Sequence, residues 1–331
     1  MSIRTIPELL ANNVKEHGTR LLFQRRDGWS WKQITWLDFD REVKNIASFL
    51  MDLGFGSGDS AVIASSNNLD TIATEIAIYH LGGVIVPLPK ESDIDHIKEV
   101  TKNQSAKIIF LESEDLLEEA KNSSDELTSV EKIVFYADIR IKHGKIINFK
   151  LVQKSGLMKR KQLHDDLTKA SENVSPDDLA VIFPETQTQV TQGAFMDILA
   201  EAYQKYSQIG IEDQSFSYMT TASPFSKLIN YLTFYMGTRA AMAESRDDFY
   251  QDVLEVMPTI LFETSDGLED IYEKSTSDLN GTSPEKKIRK DLGDRIKYIF
   301  TDHMPKREVE NLFLRSGVNF LEVPDLSKLG D

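Results

Sequence analysis

The 331-residue chain contains no cysteine. That excludes a disulfide framework, a thiolate metal site and a cysteine nucleophile, and it gives no reason to place the protein in an oxidising compartment. Nothing approaches the run of about 18 apolar residues that a membrane-spanning helix needs. Met1 to Leu10 carries one basic residue and no signal-peptide core. The expectation is a cytoplasmic protein with no membrane span. Positive charge is also scarce: 38 lysines and arginines face 53 acidic residues, a net charge of −15. Such a field repels phosphate backbones, so nucleic acid is not expected as a partner. The six histidines, at 17, 80, 96, 143, 164 and 303, form no ligand-spaced cluster, and no metal ligand is assigned. What remains, 40% hydrophobic and 27% charged residues, is the composition of an ordinary globular protein with chain enough for about two domains.

Helical periodicity alternates with short β-branched runs from Thr35 to Leu111, the pattern of an α/β domain with a largely parallel sheet. Thr35 to Asp38 reads as a capping box, and Phe39, Val43, Ile46, Ala47 and Leu50 then share one helical face that ends at Gly54. Strands are expected over 61–64, 84–88, 107–111 and 132–136, with helices over 69–81 and around Ile94, Ile97 and Val100. Two alternating stretches flanking His143-Gly144 suggest a hairpin over 140–149. Residues 153–174 are polar and include Lys154, Lys159, Arg160 and Lys161. They read as a connection between a first α/β subdomain, 1–152, and a second, 175–331. The second half is expected to hold strands over 179–183, 216–219, 240–243, 259–262, 295–300 and 318–323, and a long helix over 193–207.

Several chemical motifs dissolve on inspection. Gly54-Phe55-Gly56-Ser57-Gly58 follows a helix and precedes a strand, the reverse of a dinucleotide fingerprint, and reads as a helix-to-strand turn. Asp93 and Asp95 beside His96 fit the acidic preference of a helix start. The basic group Lys154 to Lys161 reads as a solvated linker, with a docking patch for an acidic partner as the other reading.

The order of four stretches resembles the N-terminal portion of the adenylate-forming (AMP-binding) superfamily, and long-chain acyl-CoA synthetases in particular. They are Trp31 to Asp59, Ala61 to Leu88 with its Leu-Gly-Gly-Val-Ile-Val-Pro-Leu ending, Asp177 to Gly193, and Thr259 to Tyr272 followed by Leu292 to Glu322. The resemblance implies an α/β fold of two subdomains with largely parallel sheets. It also implies a Ser/Thr/Gly-rich loop, ending Lys-Gly, that wraps the triphosphate of ATP while a carboxylate becomes an acyl-adenylate.

At the corresponding place this chain reads Phe183-Pro184-Glu185-Thr186-Gln187-Thr188-Gln189-Val190-Thr191-Gln192-Gly193. Thr186, Thr188, Gln192 and Gly193 are the remnant of a nucleotide-binding loop; Gln192 stands at the lysine and Glu185 at a Ser or Thr. Losing a cation and gaining an anion beside a polyphosphate costs on the order of several kcal/mol at an effective dielectric near 20. Ser226, in Ala222 to Lys227, stands at a family histidine that lines the acyl site. Pro324 to Lys328 stands where the family has Tyr-Gly-x-Thr-Glu, so that Lys328 replaces a glutamate assisting magnesium. The sequence also stops before the counterpart of the family's small C-terminal domain.

No catalytic residue and no cofactor is therefore assigned. The expected function is a catalytically silent acyl-CoA synthetase-like protein acting as a binding or interaction module, with a protein partner or an acyl ligand. Phe195, Phe225, Tyr231 and Phe234 are candidate acyl-lining residues, core packing being the other reading of each. The alternative is a divergent long-chain fatty acid-CoA ligase that uses ATP and magnesium with a separately supplied C-terminal domain. The oligomeric state stays open.

Overall fold

The computed structural model describes residues 3–217, 223–243, 247–277, 279 and 281–323. In chain order its elements are α1 (Ile6–His17), β1 (Leu21–Asp27), β2 (Ser30–Thr35), α2 (Trp36–Asp52), β3 (Ser60–Ala64), α3 (Leu69–His80), β4 (Val84–Leu88), α4 (Ile94–Asn103), β5 (Ile108–Leu111), α5 (Leu117–Ser123), β6 (Lys132–Phe135), β7 (Ile146–Asn148), α6 (Phe149–Lys159) and α7 (His164–Glu172). There follow β8 (Leu179–Phe183), β9 (Thr188–Thr191), α8 (Gln192–Lys205), β10 (Gln214–Ser217), α9 (Pro224–Met236), β11 (Arg239–Met242), α10 (Phe249–Val256), β12 (Ile260–Phe262), α11 (Ser265–Ser277), α12 (Pro284–Asp291), β13 (Tyr298–Thr301), α13 (Arg307–Arg315) and β14 (Asn319–Glu322).

Most local expectations hold because short-range chemistry dictates them. The Thr35 hydroxyl accepts from Asp38 N at 3.1 Å while Asp38 reaches back to Thr35, the reciprocal capping that starts α2. Asp93 caps α4 by accepting from His96 N at 2.8 Å, which accounts for that acidic cluster. Gly54 and Gly58 take φ of +77° and +80°, conformations only glycine adopts freely, in the turn between α2 and β3. Tyr218 and Met219, the end of one expected strand, lie outside the described residues.

Two seven-stranded sheets organise the molecule, in the orders β14-β13-β12-β10-β11-β1-β2 and β7-β6-β5-β3-β4-β8-β9. Among the described residues all pairings are parallel except β1 with β2 and β8 with β9. Successive residues of a strand feed opposite faces. Ala61 and Ile63 enter a central core between the sheets, while Val62 and Ala64 enter an outer core under α4 and α5. The central core holds α1, α2, α3, α8 and α9; a third core packs α10 to α13 on the far face of the other sheet. The result is five layers, α–β–α–β–α.

Three expectations are corrected. The sheets do not divide at 153–174. The N-terminal hairpin β1–β2 belongs with the late strands, and β8–β9 joins the early ones through Ile85 opposite Val181. Strand partners roughly one and two hundred residues apart leave no local signature, so a linear reading cannot assign these strands to their sheets. The supposed polar connection is helical: α6 lies along α2, and α7 follows it. Residues 140–149 form no hairpin, because β7 runs parallel to β6 with Ile133 opposite Ile146. The β1–β2 ribbon is tied to α10 by Arg26, which bonds Asp252 and Glu255, and by Trp31 Nε1 donating to Glu255 at 3.0 Å. Hydrogen bonds from Arg26, then Trp31, pull the Glu255 carboxyl down to about 2.

Helix α6 approaches α2 so closely that a β-carbon on Gly156 would sit 1.8 Å from the Asn45 carbonyl oxygen. A backbone carbonyl cannot move aside as a side chain can. Gly156→Ala is therefore expected to cost about 2 kcal/mol or more, as overpacking does. Chemical denaturation checks this, and an unchanged unfolding midpoint would contradict the close crossing.

Candidate functional site

The segment at the expected nucleotide loop is a tight hairpin. Phe183 pairs with Thr188 across β8 and β9, leaving only residues 184–187 as the turn. Gln187 adopts φ +56° with no glycine to ease it, and its Nε2 donates to the Pro184 carbonyl at 2.6 Å. Thr186 and Thr188 meet, hydroxyl to hydroxyl at 2.8 Å. The exposed Glu185 carboxylate lies 3.1 Å from His96 Nε2 on α4. The tip of the turn therefore presents an acid, partnered by an imidazole.

Gln192 and Gly193 are brought elsewhere. Thr191 caps α8 by accepting from Ala194 N at 3.2 Å. Gln192, the next residue, is fully buried, and its Oε1 accepts from Ile6 N at 3.1 Å, satisfying an open amide at the start of α1. Gly193 donates its N–H to the Pro176 carbonyl at 2.8 Å, and a β-carbon there would press on that same oxygen at 3.0 Å. Both residues serve packing against α1 and residue 176. Ser226 is likewise absorbed in a cap, its hydroxyl 2.7 Å from that of Ser223 at the head of α9. The stretch Pro324 to Lys328 lies outside the described residues, as does Ala222.

Of the candidate acyl-lining residues, Phe195, Tyr231 and Phe234 are fully enclosed in the central core and Phe225 is partly buried against it. Phe195 stands edge-on to Tyr231 at 5.1 Å, and Phe234 packs among Phe23, Trp36 and Phe39 at 5.4 to 5.7 Å.

A cleft opens where the C-terminal ends of β3, β5 and β6 face those of β1 and β11, the position at which parallel α/β sheets bind ligands. Its cavity of about 390 Å³ is lined by residues that include Arg25, Asn67, Asp70, Glu112, Tyr136 and Met242. A second cavity of about 340 Å³ shares Arg25, Leu69 and Asp70 and extends to Lys32 and Glu42. Arg25 sits 3.6 Å from Asp70 between them. Burial raises the Asp70 carboxyl, with Arg25 opposing, and burial likewise raises Glu42. Burial also acts to raise Glu112, but hydrogen bonds from Ser66 and Lys90 outweigh it and leave that carboxyl below the usual range. Glu112 accepts from Ser66 N at 2.7 Å and Ser65 Oγ at 2.9 Å, and Lys90 stands 2.9 Å away. The serine hydroxyls thus face a carboxylate already engaged by a cation. The cleft is polar and of mixed charge, suited to holding a ligand by several hydrogen bonds. Among the described residues no group of three or more His, Asp or Glu side chains is placed to hold a metal ion.

Sequence reasoning missed a polar knot in the central core. Glu75 on α3 and Lys227 on α9 form a fully buried ion pair, and the Tyr231 hydroxyl donates to the second Glu75 oxygen at 3.0 Å. Burial lowers the Lys227 ammonium pKa, with Glu75 pulling it back. Beside them Asn67 and Asn230 exchange amide hydrogen bonds at 3.0 and 2.9 Å. The available signal was Glu75 itself, a charge set among Ile72, Ala73, Ile76, Ala77 and Ile78 in a helix that is buried nearly all round.

The layered scaffold, with its cleft at the strand ends and a hairpin in place of a loop, is that of the N-terminal portion of an adenylate-forming ligase. Comparison with known proteins agrees. The AMP-binding enzyme family matches residues 10–184, more than half of the chain, and the chain belongs to that family. The chain is 29% identical over 105 residues to chalcone synthase cfoA of Aspergillus candidus, covering 32% of this chain and 4% of that protein. It is 26% identical over 94 residues to the long-chain-fatty-acid–CoA ligase FadD15 of Mycobacterium bovis, covering 28% of this chain and 16% of that one. The chain thus matches only a small part of these curated relatives. In fold it resembles the N-terminal domain of FACL13 from Mycobacterium tuberculosis, with a TM-score of 0.69 at 11% identity, covering 97% of this chain and 75% of that one. Among the described residues no helix is long and apolar enough to cross a membrane.

Proposed function

We propose that this chain is a nucleotide-silent member of the AMP-binding family, working as a binding or interaction module on an acyl-CoA ligase-like scaffold. One observation carries the reading. The residue at the position of the family's lysine, Gln192, is sealed in the core with its amide oxygen committed to Ile6 N. A side chain so placed cannot reach a phosphate, and restoring a cation there would bury an unpaired charge. The turn that would have to wrap the phosphates has no glycine and carries Glu185 at its exposed end. ATP and magnesium do not fit these residues, and no adenylation step is derived from them. The cleft lined by Arg25, Asn67 and Glu112 is the surface this module offers to a polar ligand, such as the head of an acyl compound, or to a partner's side chains.

Isothermal titration of the purified chain with ATP and magnesium is expected to give no saturable heat up to millimolar nucleotide. A magnesium-dependent signal with micromolar affinity would overturn the proposal. The intact two-sheet scaffold favours one rival, a divergent ligase completed by a separate C-terminal domain, and carboxylate-dependent pyrophosphate exchange by the chain would establish it in place of the silent module.

A further inference from the structure

The basic stretch 154–161 remains outside that reading. Its helix, α6, together with α2 and α7, frames a cavity of about 700 Å³ lined by residues that include Arg41, Lys44, His80, Leu157, Arg160 and Lys161. The volume lies within the usual range of small-molecule pockets, about 300–1,000 Å³. Four cations gather here in a chain of net charge −15. Two are compensated, Lys44 by Asp40 at 2.8 Å and Arg41 by Asp38 at 3.2 Å. Arg160 donates to the Arg41 carbonyl at 3.4 Å, and among the described ion pairs neither Arg160 nor Lys161 has a carboxylate partner. Among the described residues Asp165 is the one acid in the lining.

Three further features describe a built site. His80 is only 7% exposed, lines the cavity, and among the described residues its Nδ1 has no hydrogen-bond partner. Such an orphan is expensive unless something meets it. Burial, with Lys44 adding to it, depresses the imidazole pKa to about 4, so a neutral ring is offered at neutral pH. The start of α7, at His164 and Asp165, also borders the cavity and among the described residues has no side-chain cap. Finally, Leu157 is half exposed and Leu167 is buried, which provides an apolar wall. The close crossing at Gly156 seats α6 against α2 at the side of this frame.

We infer that the α2–α6–α7 cavity binds a phosphate monoester carrying an apolar body. Arg160, Lys161 and the amides opening α7 take the phosphate, and Leu157 and Leu167 take the body. Two uncompensated cations match a phosphate, which carries a charge of about −1.5 to −2 at neutral pH, better than a carboxylate with one. A soluble ester and a lipid headgroup share this chemistry, and the arms of the test distinguish them. The cavity has no lining residue in common with the nucleotide hairpin or the strand-end cleft, so the proposal stands or falls apart from the nucleotide-silent reading.

The test is titration of the full chain with hexyl phosphate, inorganic phosphate, and vesicles of phosphatidylcholine with or without phosphatidic acid, a phosphomonoester lipid, followed by calorimetry and by the His80 ring resonances in NMR. Hexyl phosphate is expected to saturate the protein, shift the His80 signals and bind about tenfold more tightly than inorganic phosphate, because the chain leaves water. Arg160→Glu with Lys161→Glu should weaken it about tenfold or more. Lys161→Glu alone, at an exposed position, keeps the test available should the double variant fold poorly. Binding of hexyl phosphate together with vesicles that contain phosphatidic acid supports the site with a lipid source; binding of hexyl phosphate alone supports it with a soluble one. No saturable binding, equal binding by the charge-reversed variants, or vesicle binding without a His80 shift overturns it.

Discussion

Lys227→Met is expected to destabilise the protein by about 3–5 kcal/mol, a loss out of proportion to one side chain. Lys227 and Glu75 are wholly enclosed, joined to each other, and shared with the Tyr231 hydroxyl. Removing the ammonium leaves a carboxylate in a low-dielectric core with one hydroxyl to satisfy it. Methionine fills most of the space, so the cost is the orphaned charge more than a cavity. A second substitution separates these causes. In the double variant Lys227→Met with Glu75→Gln the charge is gone, the Tyr231 donor still has a carbonyl to bond, and most of the stability should return. Urea unfolding of the wild type, both singles and the double closes the cycle. A double variant as unstable as Lys227→Met alone would show that packing, and not an unpaired charge, sets the cost. The pair bridges α3, which follows a strand of one sheet, and α9, which precedes a strand of the other. The pair thus joins a helix that follows one sheet to a helix that leads into the other.

Acid should weaken the protein through His80. Its imidazole is pushed down to about 4 by burial, with Lys44 adding to the effect and Asp40 opposing it, whereas the unfolded chain returns it to its ordinary value of about 6.5. A histidine held neutral by folding contributes its full stabilisation above the unfolded value and loses it as pH falls toward the folded one. Between about pH 7.5 and pH 4.5 the loss is on the order of 2–3 kcal/mol. His80→Gln removes the titrating group, so the variant should lose that much less over the same range. Unfolding midpoints of the two proteins at both pH values measure it. Parallel losses in wild type and variant would mean that the ring is not desolvated in the folded state.

The segment expected as the nucleotide loop shows where sequence reasoning reached and where it stopped. That residues 185–192 lack a glycine and a lysine is legible directly, and the consequence for phosphate binding follows from charge and backbone freedom alone. That Gln192 faces α1 is not legible, because Ile6 lies 186 residues away. Phe195, Tyr231 and Phe234 sit at helical spacings that serve equally for a pocket or a core; the aromatic contacts among them place them in the core. The cleft is a meeting of strand ends from both sheets, and no window of sequence contains it.

By itself the sequence determined most of the elements it marked, from α2 through β6 above all: the Thr35 capping box, the 3.6-residue stripes, the β-branched runs and the turn glycines are local chemistry, settled within a few residues of where they are read. The order of those elements was enough to mark the family. Only the tertiary structure decided that the first hairpin joins the last strands, that β8–β9 joins the first, that Glu75 meets Lys227, and that Arg160 and Lys161 share a cavity with His80. The reason is physical. Strand pairing and burial of a charge depend on which distant surfaces the whole chain brings together, and that is a property of the packed layers rather than of any segment within them.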